Sequence, residues 1–264
     1  MESYKSVSVE ERFYLGLDLG KQSTFTALCI LSPDPTYARR REVWELEADI
    51  EMETRKRRPE LPVTDVKGER PPRPIFWVRH LERVPLNTHY RDVAKYVAAM
   101  LQTGKLAERT EICVDAGGVG NSVAEQLEDA GIYYFERVVI TGARQETESG
   151  KYHRVPKVDL ISAMEVAFQN REIKFPPRMP FAAELEEELE NFQSRETAAG
   201  NTVFETAKAG AFDDLLLSMS LALRAGKHGE QVGPPPDESL VEPTSGPFRP
   251  LEDHELFTLE GFEF

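Results

Sequence analysis

The feature that most constrains the fold is a pair of apolar runs near the N-terminus, Phe13 to Leu19 and Phe25 to Leu31. Each run has the length of one strand, and the short polar segment between them predicts a β-hairpin or two adjacent strands. Three more strands are expected downstream, at Ile75 to Val84, Glu111 to Asp115 and Ile132 to Ile140. Helical patterns separate the later strands, which predicts an α/β domain with a mixed five-stranded sheet flanked by helices.

Apolar residues recur at three- and four-residue steps in several stretches, which predicts amphipathic helices. These helices are expected at Tyr90 to Leu101, Asn121 to Ala130, Val155 to Asn170, Phe181 to Phe192 and Ala211 to Ala225. Thr141 to Arg154 is polar and contains glycine, so we expect a loop there. Short strands are expected at Ile173 to Pro176 and Thr202 to Ala207.

Two segments lack any periodicity. Residues 49–74 contain four consecutive basic residues, Arg55 to Arg58, followed by five prolines, and predict an exposed basic loop. Residues 227–264 carry nine acidic and two basic residues among many prolines, and predict a disordered tail. We therefore expect one domain over residues 1–226, with the tail outside it.

Composition limits the class of protein. No run of about twenty apolar residues occurs, so no membrane-spanning helix is expected. The first twelve residues are polar and charged, unlike a signal peptide. Cys29 and Cys113 lie in apolar runs, which predicts buried free thiols in a reducing compartment and no zinc site. These features predict a soluble cytoplasmic protein.

Acidic residues occupy three positions where an unpaired carboxylate would be costly. Asp18 lies near the end of the first strand, Asp115 ends the fourth, and Asp213 and Asp214 open the last helix. Singly, each has an ordinary explanation as a turn residue or as an acid favoured by the helix dipole. Because open α/β sheets collect their sites at the carboxyl ends of strands, we expect these acids to meet.

A cluster of carboxylates is the natural site for Mg²⁺ or Mn²⁺. Two such ions about 4 Å apart can activate a water and stabilise the leaving oxygen in phosphodiester hydrolysis. Consecutive helical side chains point about 100° apart, so Asp213 and Asp214 cannot both face the site. We favour Asp214 as the ligand and keep Asp213 as an outer or alternative ligand.

Four segments carry these acids and their surroundings. They are YLGLDLGKQSTFTALCIL from Tyr14, VDAGGVGNSVAEQL from Val114, YHRVPKVD from Tyr152 and GAFDDLLLSMSLAL from Gly210. In this order they resemble the nuclease domain of phage terminase large subunits, over residues 12–226. The resemblance implies an RNase H-like fold and a metal-dependent DNA endonuclease. It also implies that Asp18 bridges two ions, with Asp115 and Asp214 each holding one.

The chain departs from that family in two respects. A terminase large subunit also contains an ATPase motor with a phosphate-binding loop, and no G-x-x-x-x-G-K-[ST] motif occurs here. Ser218 also stands where some relatives carry another acid. The resemblance therefore implies a stand-alone nuclease, a subunit served by a separate motor chain, or a domesticated relative. The expected partners are double-stranded DNA and a separate ATPase or other packaging or processing subunit.

The formal charge of −14 is unusual for a protein that binds nucleic acid. About half of this charge lies in the tail, and bound cations and basic loops would have to offset the rest. The candidate phosphate contacts are Arg55, Lys56, Arg57, Arg58, Arg144, Lys151 and Lys157.

Two other functions compete with the nuclease. Asp18 to Thr24 fits the first phosphate hairpin of actin-like kinases and ATPases, and Asp115 to Gly118 loosely fits the second. The paired aspartates and the chain length favour the nuclease over that class. A non-catalytic packaging module is the other alternative, and the three filled carboxylate positions argue against it.

Overall fold

The computed structural model describes residues 12–20, 24–37, 53, 56–57, 73–106, 109–117, 121–196, 202–206 and 212–229. Most of the expected basic loop, including Arg55 and Arg58, and the tail beyond Gly229 lie outside these ranges. Among the described helices, none combines the length and the apolar character needed to cross a membrane.

The strands of the main sheet are β1 Phe13–Asp18, β2 Thr26–Pro33, β3 Phe76–Val84, β4 Thr110–Asp115, β5 Glu136–Thr141, β6 Thr147–Ser149, β7 Tyr152–Pro156 and β8 Ile173–Lys174. A separate hairpin pairs β9 Phe192–Glu196 with β10 Thr202–Thr206. The helices are α1 Tyr90–Leu101, α2 Asn121–Asp129, α3 Lys157–Gln169, α4 Ala182–Asn191 and α5 Asp214–Gly229.

Within the described residues the main sheet has eight strands in the order β6-β7-β5-β4-β1-β2-β3-β8. Strand β2 is antiparallel to both of its neighbours, β1 and β3. Strand β4 pairs parallel with β1, and β5 pairs parallel with β4. The five strands expected from the sequence are thus the contiguous block from β5 to β3. This confirms the mixed α/β, RNase H-like class.

The sheet is wider than expected, because β6–β7 extends one edge and β8 extends the other. Thr141 to Arg154, expected to be a loop, contains the β6–β7 hairpin. Strand β6 is exposed at every residue, so it has no apolar alternation to reveal it. Its partner β7 continues through Pro156 by pairing with β5, and α3 therefore begins at Lys157.

Two other boundaries differ from the sequence prediction. Strand β5 begins at Glu136 rather than Ile132, because its pairing with β4 starts only there and Tyr133 and Tyr134 are exposed. Helix α5 continues to Gly229, past the expected domain boundary at residue 226. Lys227 and His228 lie in its last turn, where basic residues favour the negative end of the helix dipole.

The side chains of β1 alternate between two apolar cores. Phe13, Leu15 and Leu17 pack with α1 and α2 on one face of the sheet. Tyr14 packs on the other face with residues of α3, α4 and α5. Asp18 has the same parity as Tyr14, so strand alternation places it on the α5 face. Cys29 and Cys113 belong to that second core as free thiols, as the sequence predicted.

Helix α5 packs unusually close to β1 at Gly16. A Cβ at this position would overlap the carbonyl oxygen of Ser218 and the backbone nitrogen of Ala222. Only glycine permits such an approach of helix backbone to strand. The close packing fixes where the first residue of α5 lies relative to the end of β1.

Candidate metal and catalytic site

Two of the expected site residues end neighbouring parallel strands. Leu17 of β1 is paired with Val114 of β4, and each is followed by the aspartate that ends its strand. Because the strands are parallel, Asp18 and Asp115 lie at the same carboxyl edge of the sheet. The structure therefore brings these two residues together as the sequence predicted.

Helix α5 supplies the other two acids. Asp214 is its first residue and Asp213 immediately precedes it. The negative charges of Asp115, Asp213 and Asp214 all act on Asp18, and together with its burial they raise the pKa of Asp18 well above its ordinary value. Burial is the larger cause, and the charge of Lys157 opposes the shift. Asp115, Asp213 and Asp214 therefore lie within electrostatic range of Asp18, and we call these four acids the carboxylate cluster.

Asp115 is oriented by the backbone around it. Its Oδ1 accepts hydrogen bonds from Gly117 N at 2.7 Å and from Ile140 N at 3.4 Å. Burial raises the pKa of Asp115 to about 6, although these bonds and the charge of Lys157 act to lower it. A carboxylate held through one oxygen presents the other in a defined direction.

Two basic side chains of the protein balance the cluster. The ammonium of Lys157, the first residue of α3, forms an ion pair with Asp213 Oδ2. Arg83 Nε of β3 donates to Asp214 Oδ2 at 2.7 Å. The two neighbouring aspartates therefore have different counterions, as expected for side chains that point in different directions from a helix start.

Glu188 of α4 is a buried acid beside Asp214 and Arg83 that the sequence analysis missed. It is 3% exposed, and burial raises its pKa to about 7. Its carboxylate accepts hydrogen bonds from the backbone N–H groups of Leu215 and Leu216, and it forms an ion pair with Arg83. Its spacing could have revealed it, since Leu185 and Glu188 lie three residues apart on the buried side of this Glu-rich helix.

The donor set fits a divalent cation. Asp214 Oδ1 is buried and has no hydrogen-bond partner within the described structure. A buried, unpartnered carboxylate oxygen beside other carboxylates is what a hard cation would satisfy. In the present arrangement no three Asp, Glu, His or Cys side chains of the described residues converge as metal ligands. Lys157 and Arg83 supply positive charge to these acids.

The candidate phosphate contacts are distributed unevenly. Lys157 lies in the carboxylate cluster, whereas Arg144 and Lys151 are exposed in the segments flanking β6. Lys56 and Arg57 are exposed and form ion pairs with Glu53. Parts of the two segments that fit actin-like phosphate hairpins, residues 21–23 of the first and Gly118 of the second, lie outside the described residues.

The fold and the site together define a class. It is an RNase H-like α/β domain in which acids from two parallel strands and one helix start form a single carboxylate cluster at the edge of the sheet.

Solved structures share this fold. The large terminase nuclease of the thermophilic phage G20c with bound magnesium has a TM-score of 0.51 and 18% identity, over 84% of this chain and 84% of that chain. Its cobalt-bound form has the same score and identity, over 82% of each chain. The human cytomegalovirus terminase nuclease domain has a TM-score of 0.45 and 12% identity, over 83% of this chain and 86% of that one. The two phage G20c structures show that the chain has the fold of a terminase large-subunit nuclease domain.

No protein-family model matches the sequence, and no curated protein matches it significantly.

Proposed function

We propose that this protein is a divalent-metal-dependent endonuclease that hydrolyses phosphodiester bonds of double-stranded DNA by a two-metal-ion mechanism. The observation that carries the proposal is the clustering of Asp18, Asp115 and Asp214, with a buried and unpartnered oxygen on Asp214. The nuclease of phage G20c, which shares the fold, has been solved with magnesium and with cobalt, and this supports a divalent ion.

Asp18 would hold both ions, Asp115 and Asp214 would each hold one, and Asp213 would act as an outer or alternative ligand. Bound Mg²⁺ or Mn²⁺ would lower the pKa of an attacking water and neutralise charge on the leaving oxygen. Asp18 suits the shared position because the charges of Asp115, Asp213 and Asp214 all act on it. A cation would also offset the repulsion that raises its pKa.

The surrounding residues would orient the ligands and the substrate. The N–H groups of Gly117 and Ile140 fix Asp115 through Oδ1, so Oδ2 can bind a cation. Lys157 is 30% exposed beside Asp213, and its ammonium can donate to a phosphate oxygen of a bound strand. We also propose Arg144, Lys151 and the basic run Arg55 to Arg58 as more distant backbone contacts.

The net charge of −14 bears on how DNA is reached. Such a charge opposes long-range attraction of a polyanion, so intrinsic affinity is expected to be weak. We therefore propose that a partner, such as a separate motor or packaging subunit, delivers the DNA.

Cleavage of supercoiled plasmid tests the proposal. Wild-type protein with Mn²⁺ or Mg²⁺ should nick or linearise the plasmid, and excess EDTA should abolish cleavage. Asp115→Asn should lower the rate by at least about a hundredfold, because the variant would hold one ion less well and lose the charge stabilisation that the ion gives the reacting phosphate. Asp92→Asn is the matched control, because Asp92 is a half-exposed acid in the first turn of α1. Absence of cleavage by wild type with either ion would refute the stand-alone nuclease.

A further inference from the structure

Arg83 joins two buried carboxylates that come from different helices. Its Nε donates to Asp214 Oδ2 at 2.7 Å, and its second terminal nitrogen donates to Glu188 Oε1 at 2.5 Å. The Arg83 side chain is 12% exposed, and those of Glu188 and Asp214 are 3% and 5% exposed. Such a desolvated arginine, bonded through two of its nitrogens, holds its partners in a defined geometry.

Two aromatic rings restrict the guanidinium further. It lies 4.9 Å from the ring centre of Phe25 and 5.2 Å from that of Phe212. These rings contact each other edge to face, with centroids 4.9 Å apart. Phe25 precedes β2 and Phe212 precedes α5, so Arg83 is held between the two segments that lead into these elements. Stacking of this kind favours arginine over lysine.

Glu188 fixes the start of the helix that carries Asp214. Its two carboxylate oxygens accept from Leu215 N at 3.2 Å and from Leu216 N at 2.8 Å. These are among the first backbone N–H groups of α5, which have no partner within the helix. A carboxylate there is also favoured by the helix dipole. Glu188 therefore holds the backbone of the two residues after Asp214, and Arg83 holds the side chain of Asp214.

The two carboxylate oxygens of Asp214 have different surroundings. Arg83 engages Oδ2, while Oδ1 is buried without a hydrogen-bond partner in the described structure. We propose that Arg83 and Glu188 are positioning residues that hold Oδ2 so that Oδ1 of Asp214 is the atom presented to the metal. The inference rests on the proposed function. It adds the residues that orient one metal ligand.

This role can be tested by titrating metal-free protein with Mn²⁺. Calorimetry and the electron paramagnetic resonance signal of free Mn²⁺ measure the binding. Arg83→Gln should weaken Mn²⁺ binding about tenfold or more, the usual effect of losing a group that orients a ligand. A purely electrostatic role predicts the opposite sign, because removing a positive charge beside Asp214 would strengthen binding. Arg83→Lys keeps the charge but cannot reach both carboxylates in one plane, so it should bind Mn²⁺ more weakly than wild type.

Arg224→Gln is the matched control. Arg224 is a similarly buried arginine at the other end of α5, where it forms ion pairs with Glu136 and Glu146. This variant should lose stability without losing Mn²⁺ affinity. Wild-type affinity or tighter binding in both Arg83 variants would overturn the positioning role while leaving the nuclease proposal intact. Failure of the wild type to bind Mn²⁺ would instead overturn the metal site and the inference together.

Discussion

At the scale of single residues, Asp115 is held in a setting that disfavours its charge. Burial raises its pKa from 3.8 to about 6. A raised pKa of an acid means that the folded state prefers the protonated form. Its contribution to stability is therefore fully present below about pH 4 and is lost as the pH rises through about 6. In the metal-free protein, the ionised carboxylate is then a destabilising feature at neutral pH.

Asp115→Asn should accordingly stabilise the metal-free protein at pH 8, by up to about 3 kcal/mol for two pKa units. The asparagine oxygen can still accept the bonds from Gly117 and Ile140, so orientation is kept. Thermal unfolding in EDTA at several pH values measures the difference between variant and wild type. This difference should shrink toward pH 4, and a constant difference across the range would contradict the argument.

At the scale of elements, the site depends on how closely α5 approaches β1. Gly16 lets the helix backbone contact the strand, which places Asp214 near Asp18. Backbone atoms of Ser218 and Ala222, four residues apart in α5, form this contact. The Ser218 hydroxyl donates a hydrogen bond to Leu215 O at 2.8 Å. The Ser218 side chain is fully buried, which gives a small residue at this position a packing reason.

Gly16→Ala should destabilise the fold by about 1–3 kcal/mol or more, because the added methyl overlaps helix backbone that has no rotamer to change. Urea unfolding measures the loss. Gly142→Ala is the control, since a Cβ there meets nothing within 4 Å. Equal stability of the two variants would show that α5 does not pack on β1 at Gly16 as described.

At the scale of the whole molecule, metal binding should couple to folding. The cluster draws its acids from β1, β4 and α5, which come together only in the folded sheet. A cation that binds only the folded state stabilises it by about 2.7 kcal/mol at a hundred times its dissociation constant.

Mn²⁺ should therefore raise the melting temperature of wild type, and EDTA should reverse the rise. The same addition should leave Asp18→Asn unchanged, because the residue proposed to hold both ions is lost. An equal rise in both proteins would mean that the ions bind elsewhere, for example to the acidic residues of the C-terminal segment.

The local sequence pattern was sufficient to predict many of the strands and helices of this molecule. Strands β1 to β5 were predictable as short apolar runs, and helices α1 to α5 from their apolar spacing and helix-forming composition. The carboxylates Asp18, Asp115 and Asp214 were identifiable because each stands at the end of such an element. Their role as metal ligands remains a prediction, but their meeting at one edge follows from parallel pairing of β1 and β4.

Other features required the tertiary structure. Arg83 is 131 positions from Asp214 and 105 from Glu188, so no local period connects them. Lys157 resembled any surface cation until α3 placed it beside Asp213. The exposed strand β6 exists through its pairing with β7. Sequence alone determined strands β1 to β5, the main helices and the acids that end these elements, because periodicity is a local property. Packing of distant elements decided which cations, glycines and buried acids hold those ends in place.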